Sequence, residues 1–216
     1  LRRSILTALV GVGFLVAVNS VIAATPRETF NAVISRYAGI SSLKASFEEK
    51  ICSKKDGTCQ ILKGTFTYVA PSKFRVDVTV PMEQLVVSDG ITTWIYIPTA
   101  NQAIKTKPGA EQEIFLLIGK LQNYKERYTV ELKSAKEYLE AHFTAKLGAK
   151  VFLKEFVLLI NPSTHSIGGI KVSEGDTEMI FTMHDIQHNV KVADSKFTFS
   201  PPEGTTVLED TGTGSR

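Results

Sequence analysis

The sequence predicts a mainly β protein with few helices: a curved, incompletely closed antiparallel β-barrel under a helical lid. Two observations predict it. From residue 45 onward, apolar and polar residues alternate with period two in segment after segment, so that the strands carry one apolar face. Only two segments have helical character, and one of them, residues 111–121, is apolar on nearly every side. Many one-faced strands and two helices leave a large concave surface, which an open barrel with a helix lying over it satisfies; the alternative is that these apolar residues complete a solid core.

The first helix is announced by Thr25-Pro26-Arg27-Glu28, a capping box with proline at the first helical position. Phe30, Val33, Ile34 and Tyr37 follow at helical spacing, and Gly39 ends the run. Leu62, Gly64, Phe66 and Tyr68 then alternate with Ile61, Lys63, Thr65 and Thr67, and Phe74, Val76, Val78 and Val80 alternate with Arg75, Asp77 and Thr79. Asp89-Gly90 marks a tight turn before a strand at 92–97. The second helical segment, with Ile114, Phe115, Leu116, Leu117 and Ile118, has no solvent face and is expected to lie over or within an apolar concavity. Further strands are expected near 128–132, 141–145, 151–160, 167–173, 178–186 and 191–199.

Arg2-Arg3, an apolar run over 5–18 and the small residues Ala23-Ala24 have the three-part layout of a secretory signal peptide, expected to be removed as residues 1–23. The apolar run is shorter than the roughly 20 residues that span a bilayer, which weighs against the competing reading, a retained membrane anchor. Removal takes Arg2 and Arg3 and no acid, so 25 basic and 22 acidic residues become 23 and 22, a net charge of +1. A near-neutral chain without a dense basic block gives no electrostatic reason to expect nucleic acid. Residues 24–210 suit one domain, with 211–216 as a flexible tail.

Cys52 and Cys59, the two cysteines, flank Lys54-Lys55-Asp56-Gly57. A hairpin loop with Gly57 in the left-handed conformation sets them opposite each other, which predicts a cross-strand disulfide in an exported protein. A metal site lacks further ligands, and a redox pair is usually more closely spaced. His184 and His188 are four apart, but they fall in a strand-and-turn segment without cysteine or carboxylate partners, so no metal site is expected. Ser88 lacks the glycine pattern of a nucleophile elbow and precedes a turn, where its role is geometric. No phosphate-binding glycine loop occurs, and no cofactor is expected.

Gly64, Pro71, Phe74, Pro81, Leu85-Val86-Val87-Ser88-Asp89-Gly90, Trp94 and Tyr96 stand in an order that resembles the periplasmic outer-membrane lipoprotein carrier (LolA) family. The resemblance recurs in Lys196-Phe197-Thr198-Phe199-Ser200-Pro201-Pro202-Glu203-Gly204 and covers nearly all of the chain after the signal peptide. It implies a monomeric, non-enzymatic periplasmic carrier whose cavity stays open for acyl chains. Phe66, Phe74, Val76, Val78 and Val86 would line that cavity, and Ile114, Phe115, Leu117 and Ile118 would form the lid; a one-residue shift of parity would instead turn Leu85 and Val87, also apolar, inward. The implied partners are an acylated lipoprotein cargo, an inner-membrane lipoprotein-releasing ABC transporter and an outer-membrane receptor. No cysteine stands at the cleavage point, which favours the soluble carrier over a lipid-anchored receptor of the same fold. Many members carry an arginine before Pro71 that bonds to the lid; here the residue is Ala70. The competing readings are another lipid-binding or envelope-stress-sensing module of this fold, and a periplasmic lipid hydrolase, which would need a nucleophile with a base and an orienting group.

Overall fold

The computed structural model describes residues 24–107, 117 and 119–210. The expected signal peptide and tail, and the lid residues Ile114, Phe115 and Ile118, lie outside the described residues. Helix α1 (Pro26–Ala38) begins as its sequence requires: Thr25 Oγ1 accepts from the Glu28 N–H at 3.2 Å, and Glu28 Oε2 accepts from the Thr25 N–H at 2.8 Å. Thr29, Phe30, Val33 and Tyr37 form its buried stripe. Among the described residues twelve strands follow: β1 (Ser42–Ser53), β2 (Cys59–Val69), β3 (Lys73–Val80), β4 (Gln84–Ser88), β5 (Thr93–Ile97), β6 (Gln102–Thr106), β7 (Tyr128–Ser134), β8 (Leu139–Ala145), β9 (Glu155–Asn161), β10 (Ser166–Glu174), β11 (Thr177–His188) and β12 (Thr206–Glu209). A four-residue helix α2 (Tyr124–Arg127) leads into β7.

The strands form one curved sheet in the order β12-β6-β5-β4-β3-β2-β1-β11-β10-β9-β8-β7, which is not closed into a barrel. Every pairing is antiparallel except β12 beside β6. The two halves of the chain meet where β1 pairs with β11. Inside the curve, Phe47 stacks on Phe181 with ring centroids 4.9 Å apart, and Phe143 stacks on Phe156 at 4.4 Å. Helix α1 closes this core, with the Phe30 ring edge-on to Tyr124 at 5.5 Å. The Tyr37 hydroxyl accepts from the buried Ile167 N–H at 3.1 Å, tying the helix to β10.

At Gly64 the chain leaves no room for a side chain: a Cβ there would run into the Asp77 carbonyl and the Phe47 ring. Only glycine fits at that point, and the β2–β3 register shifts beside it. Cys52 pairs with Cys59 in register and forms the expected disulfide, with Gly57 at φ +73° in the loop between them.

Three local expectations need correction. Residues 191–199 do not form a strand. They cross the outer face of the sheet, with a 3-10 turn at Asp194–Phe197, and Phe199 lies against Trp94 and Tyr96 at 5.7 and 5.3 Å. The period-two spacing of Phe197 and Phe199 needs only an apolar surface to dock on, and the face of β5 supplies it without edge pairing. Residues 151–154 belong to a loop preceding β9 rather than to the strand. Strands β6 and β12 are additional, short and weakly patterned.

Candidate functional site

Strand register assembles the site. Ala45 faces Phe66, Phe66 faces Val76, Val76 faces Val86, Val86 faces Ile95, and Ile95 faces Ile104. Directly paired residues share a face, so these six make one apolar belt across β1–β6 on the inner side. Burial falls along it. Ala45, Phe66 and Val76 are 1–3% exposed, whereas Val86, Ile95 and Ile104 are only half-buried. Leu208 of β12, partnered with Ile104, is 45% exposed.

Of the cavity residues expected from sequence, Phe66, Phe74, Val76 and Val78 sit within the close-packed core, together with α1 and Leu121. Val86 packs on the margin of that core. Its pairing with Val76 settles the parity of Leu85-Val86-Val87, since Leu85 and Val87 pair with Asp77 and Arg75 on the outer face. Val87 is nevertheless 1% exposed, on the side of β4 and β5 that residues 191–199 cover. The Leu-Val-Val run is apolar throughout because both faces of β4 are covered. Ile95 and Ile104 are not legible as site residues in the sequence. Trp94-Ile95-Tyr96-Ile97 is apolar at every position, and the five residues of β6 carry no clear strand pattern.

Leu117 has helical backbone and is 5% exposed, packed into the core. Between it and Lys120, Tyr124, Arg127 and Phe156 there is a cavity of only ≈ 10 Å³, about one water. Ala70 is exposed, and Tyr68, two residues before it, reaches the helical segment instead: a Cβ on Gly119 would fall on the Tyr68 hydroxyl. That hydroxyl donates to the Pro71 carbonyl at 3.2 Å.

Polar groups interrupt the inner face, Glu49, Thr93 and Ser88 among them. Glu49 follows Leu43, Ala45 and Phe47 in strand parity and pairs with Leu62 and Phe181, so its carboxyl lies among apolar side chains. Burial pushes that carboxyl above the usual carboxylate range. Thr93, 0% exposed, has a hydroxyl with no hydrogen-bond partner among the described residues, in register with Ser88. Ser88 itself accepts from the Gly90 N–H and donates to the Thr92 carbonyl, which is turn geometry. His188 lies edge-on to Tyr37 at 5.3 Å, and His184 is exposed on the far side of a left-handed Asp185, φ +52°. No group of three or more potential metal ligands occurs among the described residues. Among them, too, no helix is long and apolar enough to cross a membrane.

The chain is 30% identical over 178 residues to an outer-membrane lipoprotein carrier protein of Klebsiella pneumoniae (strain 342), covering 80% of this chain and 84% of that one. A protein of the same description from Yersinia pestis is 30% identical over 177 residues, with the same coverage. Among solved structures, an uncharacterized conserved protein from Thermus thermophilus matches with a TM-score of 0.51 at 11% identity, over 85% of this chain and 98% of that one. A LolA superfamily protein from Nitrosomonas europaea matches with a TM-score of 0.47 at 12% identity, over 82% and 99%. The family description "Outer membrane lipoprotein carrier protein LolA" matches residues 38–200, a span that runs from the end of α1 through the segment crossing the outer face. With that match and the 30% relatives added to the inner belt and its helical cover, the chain belongs to the LolA family of outer-membrane lipoprotein carrier proteins.

Proposed function

We propose that this protein carries acylated lipoproteins through the periplasm. It takes them from an inner-membrane lipoprotein-releasing ABC transporter and passes them to an outer-membrane receptor. The observation that carries the reading is the belt from Ala45 to Ile104, buried at one end and half-exposed at the other, in a chain whose relatives are named lipoprotein carriers. Acyl chains would lie first against Val86, Ile95 and Ile104. They would then displace the expected lid residues Ile114, Phe115, Leu117 and Ile118 to reach Phe66, Phe74, Val76 and Val78. At about 0.8 kcal/mol per buried methylene, one acyl chain costs on the order of 10 kcal/mol to expose to water. The role needs an apolar surface and no covalent chemistry, so transport energy comes from the partner.

The test is to purify the exported protein from an envelope fraction and identify co-purifying acylated peptides by mass spectrometry. The wild-type protein should carry them. Ile95→Glu, at a half-exposed position, should keep the melting temperature and lose the cargo. A full cargo load on a folded Ile95→Glu protein would overturn the reading.

A further inference from the structure

We propose that the β8–β9 loop, residues 146–154, is a membrane-docking element that seats Leu147 and Phe152 in the interfacial zone of an anionic phospholipid bilayer. Its sequence, Lys146-Leu147-Gly148-Ala149-Lys150-Val151-Phe152-Leu153-Lys154, has three lysines and no acid. Leu147 is 107% exposed and Phe152 59% exposed. Water is a poor environment for two large apolar side chains on one loop, and an exposed apolar pair ringed by cations is what an anionic interface accepts.

The loop is held, so the exposure is built in. The Lys146 N–H donates to the Arg127 carbonyl at 2.8 Å, Lys146 Nζ donates to the Lys125 carbonyl at 2.6 Å, and the Tyr128 hydroxyl donates to the Leu153 carbonyl at 2.9 Å. Val151 and Leu153 pack down onto the core, which turns Phe152, between them, outward. These anchors bring Lys125 and Arg127 beside Lys146, on a loop that also carries Lys150 and Lys154. Five cations thus stand against two neighbouring acids, Glu126 and Glu155, a local charge of +3. Lysine stems can lie along the apolar tip while their ammonium groups meet lipid phosphates. Met82 and Ile91, the most exposed apolar residues after Leu147 along with Phe152, lack this setting: Met82 adjoins Glu83, and Ile91 is two residues from Asp89. Charge complementarity therefore selects the β8–β9 loop and an anionic lipid surface. The loop packs on α2, beside the segment that covers the core, so docking would bring that end of the molecule to the bilayer. The inference does not depend on what the inner face carries.

Co-sedimentation of the full exported chain with phosphatidylglycerol-containing vesicles, compared with pure phosphatidylcholine vesicles, tests it. Binding should be weak and reversible, and about tenfold or more stronger to the anionic vesicles. Salt at about 0.5 M should abolish the preference. Leu147→Glu with Phe152→Glu, and separately Lys150→Glu with Lys154→Glu, should each remove binding while the melting temperature holds, because all four side chains lie outside the buried core. A Phe152→Trp reporter should shift its emission to the blue on adding anionic vesicles. No binding to anionic vesicles, equal binding to both kinds, binding unchanged in either double variant, or an unshifted reporter would each overturn the proposal.

Discussion

Glu49 shows how one side chain on the wrong side of a strand leaves a measurable mark. Its neighbours in the sequence, Glu48 and Lys50, point to the outer face, where Glu48 pairs with Lys63 at 2.8 Å, and among the described residues no charged group offsets the burial of Glu49. With its pKa raised in the folded state, the protein takes up a proton on folding in the interval above the ordinary carboxyl value of 4.5. Stability from this group is therefore complete below that value and falls as pH rises through the folded-state pKa. Glu49→Gln is expected to raise the melting temperature at neutral pH and to match the wild type below about pH 4; thermal scans across pH read this directly. Thr93 and Ser88, side by side in register, should behave oppositely. Thr93→Val removes a hydroxyl that has no partner among the described residues and should be neutral or stabilising, whereas Ser88→Ala breaks two bonds of the turn and should cost about 1–2 kcal/mol in denaturant titration.

At the scale of elements, Gly119 and Tyr68 govern how the helical segment sits on the sheet. Tyr68 is 1% exposed and bonded to Pro71, so its hydroxyl cannot simply swing away from a methyl group placed on Gly119. Gly119→Ala should lower stability by about 1–3 kcal/mol, and adding Tyr68→Phe should recover part of the loss. Full additivity of the two changes would show that the contact does not limit the approach of helix to sheet. The β1–β2 hairpin is held differently. Its disulfide closes a short loop, with a sequence separation of 7, and Cys52→Ser with Cys59→Ser should cost about 2–3 kcal/mol in unfolding free energy. The hairpin tip lies beyond the buried core, so the sheet should remain folded, with far-ultraviolet circular dichroism unchanged.

For the whole molecule, the gradient of burial along the inner belt separates packing from function. Phe74→Glu buries a charge at a position that is 0% exposed and should abolish folding, while Ile95→Glu, on the same sheet, should fold normally. Measured melting temperatures for the pair check this. Similar modest losses in both would mean that the interior around Phe74 rehydrates as a cavity wall does.

Much of the architecture was legible in short-range patterns. The capping box at Thr25, the cysteine hairpin around Gly57, the turn at Asp89-Gly90 and the one-faced alternation of β2 and β3 each depend on contacts between residues close in sequence. Their physics is local, and the structure repeats what they predict. By itself the sequence therefore determined a curved, one-faced sheet with helical cover, and a family. What it left open depends on partners far along the chain. Whether Val86 or Val87 faces inward was decided by pairing with β3. Val87 is buried all the same, on the face where Phe199 of the distant C-terminal segment meets Trp94. Residues 191–199 have strand-like alternation but dock on a face, because β5 presents an apolar surface rather than a free edge. Strands β6 and β12 exist because the growing sheet offers them unpaired backbone, which a short pattern of a few residues cannot announce. Only the tertiary structure could set Ile95 and Ile104 in line with Phe66, or leave Glu49 among apolar neighbours, since register is a property of paired strands and not of either strand alone.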